Sequence, residues 1–355
     1  MIESNGTTKM WRRILVGVVS IAAVGAAFGC STGDDSKTQP TDSKAQPTGA
    51  PTDSKAPYII AVNGPVSDAF FQPMKLGSDD AAALLGMTDY QYSASKDYSN
   101  VIPDYVALLD QAIAKNPDGL IVWNFNADSL GPGIKRAVEQ GIPVVTISSG
   151  MDTWESEGVL TFIGEDKVGS GLAAGKAAAA TGVKHLLCVN NAASNPGLQQ
   201  RCDGAEQGMK ESGGVSEQII IPATDVNNPA SATQTIQGHL SSHPDIDGVW
   251  TQNSSIAIYA ADAIKNIGKT GEIKLSTLGI SKGAIELLRD GTLDGIVDTQ
   301  QYLWGFQAIM ILDQYIRYGI HPVGAVIPGA IAIDKNNLDQ TLEIVAQYPG
   351  VRGAN

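Results

Sequence analysis

The chain has 355 residues and a formal net charge of −13, and 43% of its residues are hydrophobic. This length fits two domains plus a leader better than a single core. The acidic balance argues against a nucleic-acid partner, because binding phosphate requires clustered Lys and Arg side chains.

The sequence pattern of residues 1–29 predicts a lipoprotein signal peptide. A basic segment, Lys9–Arg13, precedes the apolar run Ile14–Phe28, which is short for a transmembrane helix and typical of a signal peptide. The run leads into Cys30, at a position that resembles a lipobox, where the thiol is acylated and the chain is cleaved before it. We therefore expect Cys30 to be a lipid anchor; an ordinary signal peptide with a coincidental cysteine is the alternative.

The composition of residues 30–56 predicts a disordered tether. The stretch Ser31–Ala56 contains no large apolar side chain and repeats the tripeptide Asp-Ser-Lys. Such a segment cannot bury enough surface to fold. We expect a flexible spacer between the lipid anchor and a folded body.

From Pro57 onward, short apolar runs alternate with longer amphipathic stretches. The candidate strands are Tyr58–Val62, Tyr90–Ser93, Gly119–Trp123, Pro143–Ile147, Leu160–Ile163, His185–Asn190, Gln218–Ile221, Gly248–Thr251, Lys274–Leu278 and Gly295–Thr299. The candidate helices between them include Phe71–Leu85, Ile102–Lys115, Ser129–Gln140, Lys167–Ala180, Ile256–Ile267 and Tyr302–Tyr318. Nearly continuous apolar strands and the repeated strand–helix order predict an α/β fold with doubly wound parallel sheets.

Neutral polar side chains follow seven of the ten predicted strands. In parallel sheets, ligands sit beyond the carboxyl ends of the strands. Asn and Gln side chains both donate and accept hydrogen bonds, as sugar hydroxyls do. Turn formation is the alternative, and it explains one such loop better than seven. Phe70, Phe71 and Trp123 add apolar faces at the same ends, although Phe70 and Trp123 could also be core residues.

The remaining cysteines and the histidines offer limited chemistry. Cys188 and Cys202 are a disulfide candidate in an exported protein, and a reactive thiol, the alternative, has no nearby histidine. His239 and His243 have metal-ligand spacing, but no third ligand is evident nearby, so we predict no metal. Because nucleophile-elbow, zinc and phosphate-loop motifs are lacking, we predict that the protein is not an enzyme and uses no cofactor.

From Pro57 to about Asn337 the chain resembles the type I periplasmic sugar-binding proteins of the ribose- and galactose-binding kind. The segments that carry the resemblance are Ser67–Phe71, Gly141–Thr146, Ile163–Asp166, Cys188–Asn190, Gln200–Gly204 and Asp298–Leu303. The resemblance implies two doubly wound parallel-sheet lobes joined by three crossovers, residues 57–164 plus 300–328 and residues 165–299 plus 329–355. The paired cysteines resemble a subgroup that binds short polyols such as xylitol or threitol.

The strand ends and the resemblance together predict the ligand contacts. They are Asp68, Phe70, Phe71, Asn124, Ser148, Ser149, Asn195, Arg201, Asn253, Ser281, Asp298, Thr299 and Gln300. Arg201 matches an arginine that bonds ligand hydroxyls; a structural ion pair with Asp203 or Glu206 is the alternative. Gly279 stands where many relatives have an aspartate, which favours a sugar alcohol over a cyclic sugar.

The resemblance implies the extracytoplasmic solute-binding component of an ABC importer. We expect a monomer, lipid-anchored at the outer face of the cell membrane, that binds a small sugar alcohol (tetritol or pentitol) or a monosaccharide and delivers it to an ABC permease. The alternatives are a sugar-sensing receptor for a membrane signalling partner and a nucleoside-binding lipoprotein of the same fold.

Overall fold

A computed structural model describes residues 55–65, 67–222 and 224–353. The predicted signal peptide, Cys30 and nearly all of the predicted tether lie outside these residues. At the start of the described chain, Lys55 forms an ion pair with Asp89 at 3.1 Å and Ala56 packs against the core. The last two residues of the segment predicted as tether therefore belong to the folded body.

The strands form two sheets. The first contains β1 (Ile59–Val62), β2 (Gln91–Ser93), β3 (Gly119–Val122), β4 (Val144–Ile147) and β5 (Thr161–Ile163). The second contains β6 (His185–Asn190), β7 (Val215–Ile220), β8 (Gly248–Thr251), β9 (Lys274–Leu278), β10 (Gly295–Asp298) and β11 (Ile331–Ile333). Their orders are β2-β1-β3-β4-β5 and β11-β10-β9-β8-β6-β7. All pairs are parallel except β10 with β11, because β11 re-enters the edge of the sheet in the reverse direction.

Ten described helices cover these sheets. They are α1 (Gln72–Leu84), α2 (Val101–Ala114), α3 (Ala127–Glu139), α4 (Lys167–Ala180), α5 (Pro196–Glu211), α6 (Pro229–Ser242), α7 (Ser254–Asn266), α8 (Lys282–Asp290), α9 (Gln301–Tyr318) and α10 (Leu338–Gln347). Within the described part of the chain, no helix combines the length and the apolarity needed to cross a bilayer.

The chain passes between the two sheets three times: from β5 to α4, from β10 to α9, and from α9 to β11. Helix α9 packs against α1 and buries Trp304 and Leu312 in the core of the first sheet. We call the first sheet with α1–α3 and α9 the N-terminal lobe, and the second sheet with α4–α8 and α10 the C-terminal lobe. The predicted fold class, two doubly wound lobes joined by three crossovers, is confirmed.

The pattern of β6 shows why the strands are almost continuously apolar. Leu187 and Val189 join the core beneath α6 and α7, whereas Leu186 and Cys188 join a second core beside α5. Successive side chains of a strand point to opposite faces. A sheet with helices on both faces therefore needs apolar residues at every position.

Helices α4 and α5 pack with their backbones in close contact. A Cβ atom on Gly171 would lie 2.0 Å from the carbonyl oxygen of Arg201, and one on Gly204 would lie 2.2 Å from that of Val168. Only glycine permits this approach. The contact places Arg201, near the start of α5, beside the first turn of α4.

Candidate functional site

A cavity lies between the lobes at the carboxyl ends of the strands. The N-terminal lobe contributes the segments after β1, β2, β3 and β4, and the C-terminal lobe contributes those after β6 and β8 and the start of α4. Eight residues predicted from the sequence line it: Asp68, Phe70, Phe71, Ser148, Ser149, Asn195, Arg201 and Asn253. Its space, including the part open to solvent, measures about 550 Å³.

Aromatic side chains form the wall on the N-terminal side. The rings of Trp123 and Phe125 stack with their centroids 4.2 Å apart, and Phe71 meets Trp123 edge-on at 4.8 Å. All three are buried yet line the cavity. Phe70 is half-buried and meets Phe71 edge-on at 5.1 Å. Phe70 and Trp123 are therefore packing residues and cavity residues at once.

Asp68 connects the two lobes. One of its carboxylate oxygens accepts a hydrogen bond from the Tyr98 hydroxyl at 2.6 Å, and the other accepts from the backbone N–H of Phe70 at 2.9 Å. The side-chain amide of Asn253, from the opposite lobe, lies 3.2 and 3.3 Å from the two oxygens. Burial and the neighbouring charge of Asp68 raise the pKa of Tyr98 well above its usual value. Tyr98 therefore stays a hydrogen-bond donor.

A buried charge cluster forms the wall on the C-terminal side. Glu165 accepts hydrogen bonds from both Arg201 and Lys167 through the same oxygen, Oε1, with 3.1 Å to the Lys167 ammonium. All three side chains are nearly inaccessible to solvent. The partner of Arg201 is thus Glu165 rather than Asp203 or Glu206, the alternatives that the sequence suggested.

The pKa values in this cluster reflect competition between burial and charge. Burial alone would raise the pKa of Glu165, but the charges of Arg201 and Lys167 outweigh it and lower the pKa. Burial and the neighbouring Arg201 lower the pKa of Lys167 to about 7, although Glu165 opposes the shift. Glu165 is therefore ionised at neutral pH, while Lys167 lies near its midpoint.

A disulfide supports the wall that carries Arg201. Cys188 of β6 and Cys202 of α5 are bonded, with their Cα atoms 5.7 Å apart, which confirms the predicted pair. The amide of Gln252 donates to the carbonyl of Leu198 at 2.9 Å beside this disulfide, and its oxygen lies 3.4 Å from the Arg201 guanidinium. The cross-link therefore fixes the turn of α5 in which Arg201 meets Gln252.

Small polar residues line the seam between this cavity and an adjoining one. Ser148 and Ser149 are buried at the end of β4, and Ser148 adopts a φ of 67°. Left-handed backbone is uncommon for residues other than glycine and is often found at functional sites. Asn195 caps α5 by accepting from the N–H of Gly197 at 3.0 Å. The cap orients Asn195 in the seam between the two cavities.

Asn124 lines the adjoining cavity instead of the main one. Its amide donates to the two carboxylate oxygens of Glu157 at 2.9 and 3.2 Å. Burial raises the pKa of Glu157, and the hydrogen bond from Asn124 opposes that shift. Asn124 is therefore engaged in holding a buried carboxylate of its own lobe.

Four predicted contacts lie outside both cavities: Ser281, Asp298, Thr299 and Gln300. Ser281 caps α8. Asp298 is buried and forms an ion pair with Arg352 at 2.7 Å, and the side chain of Gln300 donates to the carbonyl of Pro328 at 3.3 Å. The last three begin the second crossing between the lobes, where Asp298 and Gln300 bond the C-terminal segment and another crossing segment.

Several cavity residues were not among the predicted contacts. They are Tyr98, Val101, Trp123, Phe125, Lys167, Asn191, Ala192, Ser194, Leu198 and Gln252, with Glu165 behind them. Asn191 and Gln252 directly follow predicted strands and are neutral and polar, so the pattern of polar side chains after strands could have included them. Glu165 and Lys167 also come soon after a predicted strand, Leu160–Ile163, but they are charged, and the pattern counted only neutral polar side chains.

Known proteins resemble this chain over most of its length. Residues 59–319 match the family model described as periplasmic binding protein domain. The xylose/arabinose-binding protein of Sulfolobus acidocaldarius is 24% identical over 82% of this chain and 74% of its own. The xylitol-binding protein of Mycolicibacterium smegmatis is 26% identical over 74% of this chain and 70% of its own.

A solved structure is similar in both fold and sequence. It is a carbohydrate transporter from Acidothermus cellulolyticus in complex with myo-inositol, with a TM-score of 0.75 and 30% identity. The match covers 83% of this chain and 99% of that one. With the fold, the interlobe cleft and the family match, the chain belongs to the periplasmic binding proteins of the type I, sugar-binding kind.

Proposed function

We propose that this protein is the extracytoplasmic solute-binding component of an ABC importer and that its ligand is a small neutral polyol. A sugar alcohol of tetritol or pentitol size is the first candidate. The observation that carries the proposal is a cleft in which a buried, charge-compensated polar cluster faces an aromatic wall. No reaction is involved, since every group is assigned to binding.

The charges of the cleft favour a neutral ligand. Its cations, Arg201 and Lys167, both bond Glu165, and Asp68 adds a second carboxylate. An anionic ligand would have to compete with Glu165 for the cations and would meet Asp68. A cationic ligand would meet Arg201 in a desolvated setting, where like charges repel strongly. Neutral hydroxyls avoid both costs.

Two buried acceptors favour a ligand that donates hydrogen bonds. Within the described residues, Glu165 Oε2 and Asn191 Oδ1 have no hydrogen-bond partner, although both are buried. A buried acceptor left unbonded costs about 1–3 kcal/mol. A hydroxyl both donates and accepts, so a polyol in the main cavity can bond Asn191 Oδ1 and the Arg201 guanidinium, whereas Glu165 borders the adjoining cavity.

The aromatic wall supports a ligand with an exposed carbon face. Phe71, Trp123 and Phe125 give an apolar surface opposite the polar cluster, as small-molecule sites commonly do. Both a short linear polyol and a cyclic one offer C–H groups to such a surface. A cyclic polyol is the second candidate, because the similar Acidothermus protein holds myo-inositol.

Contacts across the cleft support transport by closure. Asn253 bonds Asp68, and Gln200 donates to Asp152, each bond joining one lobe to the other. Closure around a ligand excludes water and gives a permease a distinct shape to recognise. For delivery, the protein would be exported by its leader and held at the membrane by a lipid on Cys30.

Calorimetric titration of the purified protein with a panel of ligands tests the proposal. The panel contains threitol, erythritol, xylitol, ribitol, arabitol, myo-inositol, ribose and xylose, with xylonate as an anionic match to xylitol and uridine as a nucleoside. We expect the tightest binding from a tetritol or pentitol, and much weaker binding of xylonate than of xylitol. If myo-inositol binds most tightly, the ligand is a cyclic polyol rather than a tetritol or pentitol. Binding of uridine alone, or of none of the panel, would refute the proposal.

A further inference from the structure

Three of the four histidines of the chain come together on the C-terminal lobe. His185 is the first residue of β6, His239 lies on α6, and His243 ends that helix. Glu217 of the edge strand β7 lies among them. We propose that these four side chains form a binding site for a zinc-class divalent metal ion, separate from the sugar cleft.

The fold explains why residues so far apart in sequence meet. Strand β6 pairs with β7 so that Leu187 is opposite Glu217. Leu187 belongs to the core beneath α6, and His185, two residues earlier, points to the same face. His239 and His243 are four residues apart, so they lie on one side of α6. Both strands therefore present a side chain to the face that carries the two histidines.

The donor atoms are near one another. Glu217 Oε1 lies 2.7 Å from His239 Nε2, and Glu217 Oε2 lies 3.8 Å from His185 Nε2. The ligand atoms of Glu217, His239 and His243 all lie within 4.8 Å of one another. Zinc bonds of 2.0–2.2 Å in a tetrahedral site separate the donors by about 3.4 Å. The rings of His239 and His243 stack with their centroids 4.2 Å apart, so one of the two rings has to turn for both to bind the same ion.

Two of the imidazoles have an oxygen acceptor at Nδ1. His185 Nδ1 is 2.9 Å from the carboxylate of Asp245, and His243 Nδ1 is 3.0 Å from the carbonyl oxygen of His239. Because these oxygens only accept, each neutral ring carries its proton on Nδ1 and leaves the lone pair on Nε2. A carboxylate or carbonyl behind the ring is the usual support of a metal-bound histidine.

The chemistry of the donors selects the class of ion. Imidazole nitrogen with one carboxylate suits zinc and similar borderline ions, whereas calcium and magnesium prefer oxygen ligands alone. The side chains of His185, Glu217 and His239 are 15–31% exposed, so an ion can reach them while water is partly excluded. On binding, His239 Nε2 would exchange its contact with Glu217 for a bond to the metal.

The site would brace the edge of the second sheet. It would join β6, β7 and α6 at the amino-terminal end of β6, whereas the sugar cleft opens beyond the carboxyl end of that strand. Metal and sugar should therefore bind independently. A bound ion should raise the thermal stability of the protein by mass action.

Zinc titration of the chelator-treated protein, followed by calorimetry and by thermal unfolding, tests the site. We expect one Zn²⁺ per chain and a rise in the melting temperature, with no such rise from Ca²⁺. His239→Gln and His243→Gln should each weaken zinc binding at least tenfold, and Asp245→Asn about tenfold through loss of ring orientation. His321→Gln, which removes the one histidine outside the cluster, is the matched control and should bind zinc like the wild type.

Either of two results would overturn the proposal. One is the absence of saturable zinc binding to the wild-type protein. The other is unchanged zinc affinity in both His239→Gln and His243→Gln. If His239→Gln fails to fold, His243→Gln alone decides, and retention of sugar binding reports that this variant is folded.

Discussion

Replacing Glu165 by Gln removes one negative charge from the cleft at almost constant size. Glu165 is 3% exposed and holds Arg201 and Lys167 through a single oxygen, Oε1. A glutamine oxygen can still accept a hydrogen bond, so any change in the variant reports the loss of the negative charge rather than a change in side-chain shape. We expect the variant to change both stability and ligand choice.

The interactions of Glu165 with Lys167 and Arg201 set the size of the expected changes in stability and ligand preference. Glu165 raises the pKa of Lys167, so in its absence that pKa falls below about 7 and the ammonium loses its proton near neutral pH. Arg201 keeps its charge and loses its counterion. Removing one partner of a buried ion pair costs roughly 3–5 kcal/mol of stability. A charged hydrogen bond to an anionic ligand is worth about 1.5–3 kcal/mol, which is roughly a tenfold to hundredfold change in affinity.

The assay compares a polyol with the aldonate that carries a carboxylate on the same carbon chain. Calorimetry should show that Glu165→Gln shifts the preference toward the aldonate by roughly tenfold to hundredfold relative to the wild type, and urea unfolding should show the loss of stability. Glu155→Gln, at an exposed position, is the control for removal of a carboxylate. If Glu165→Gln keeps the wild-type preference and stability, Glu165 does not compensate the cations of the cleft.

Three further perturbations test the site, its support and the anchor. Arg201→Ala should weaken ligand binding by roughly tenfold to hundredfold through loss of a charged donor, whereas Lys269→Ala on the surface should not; equal calorimetric affinities would leave Arg201 a structural residue. Replacing Cys188 and Cys202 together by Ser should lower the free energy of unfolding by about 3 kcal/mol, because their 14-residue separation closes a short loop; an unchanged urea midpoint and slope would contradict this. Cys30→Ser should move the protein from the membrane fraction to the soluble one, and unchanged fractionation would mean that the anchor lies elsewhere.

The sequence predicted the strands well where they are buried on both faces. The predicted strand Gly119–Trp123 matches β3 to within one residue, and Lys274–Leu278 matches β9 at both ends. It did less well at the edge, where Gln218–Ile221 was predicted and β7 covers Val215–Ile220. An edge strand tolerates polar residues such as Glu217, so its start gives no apolar signal.

The local sequence pattern did not predict the buried cluster of Glu165, Lys167 and Arg201. Glu165 and Arg201 are 36 residues apart and lie on opposite sides of β6 in the chain. They meet because α4 and α5 approach closely at Gly171. The proposed metal site is similar: the sequence suggested no third ligand beside His239 and His243, because Glu217 is 22 residues from His239, and our prediction of no metal rested on that.

The order of the strands decides which strand ends contribute to the cleft. In each sheet the first strand has the second strand on one side and the third strand on the other. Strand β1 therefore lies between β2 and β3, and β6 lies between β7 and β8. A crevice opens at such a switch point, and ligands bind there. The cavity takes its strand-end residues from the segments after β1, β2, β3 and β4 in the first sheet, where β4 is the neighbour of β3, and from those after β6 and β8 in the second. Strand β10 ends in equally polar residues, but it lies two strands beyond β8 and leads out of the lobe, so Asp298 and Gln300 bond the C-terminal and crossing segments instead. A polar strand end therefore predicts a cavity residue only when the strand lies at the switch point or beside a strand that borders it, and strand order is a tertiary property that the linear pattern does not contain.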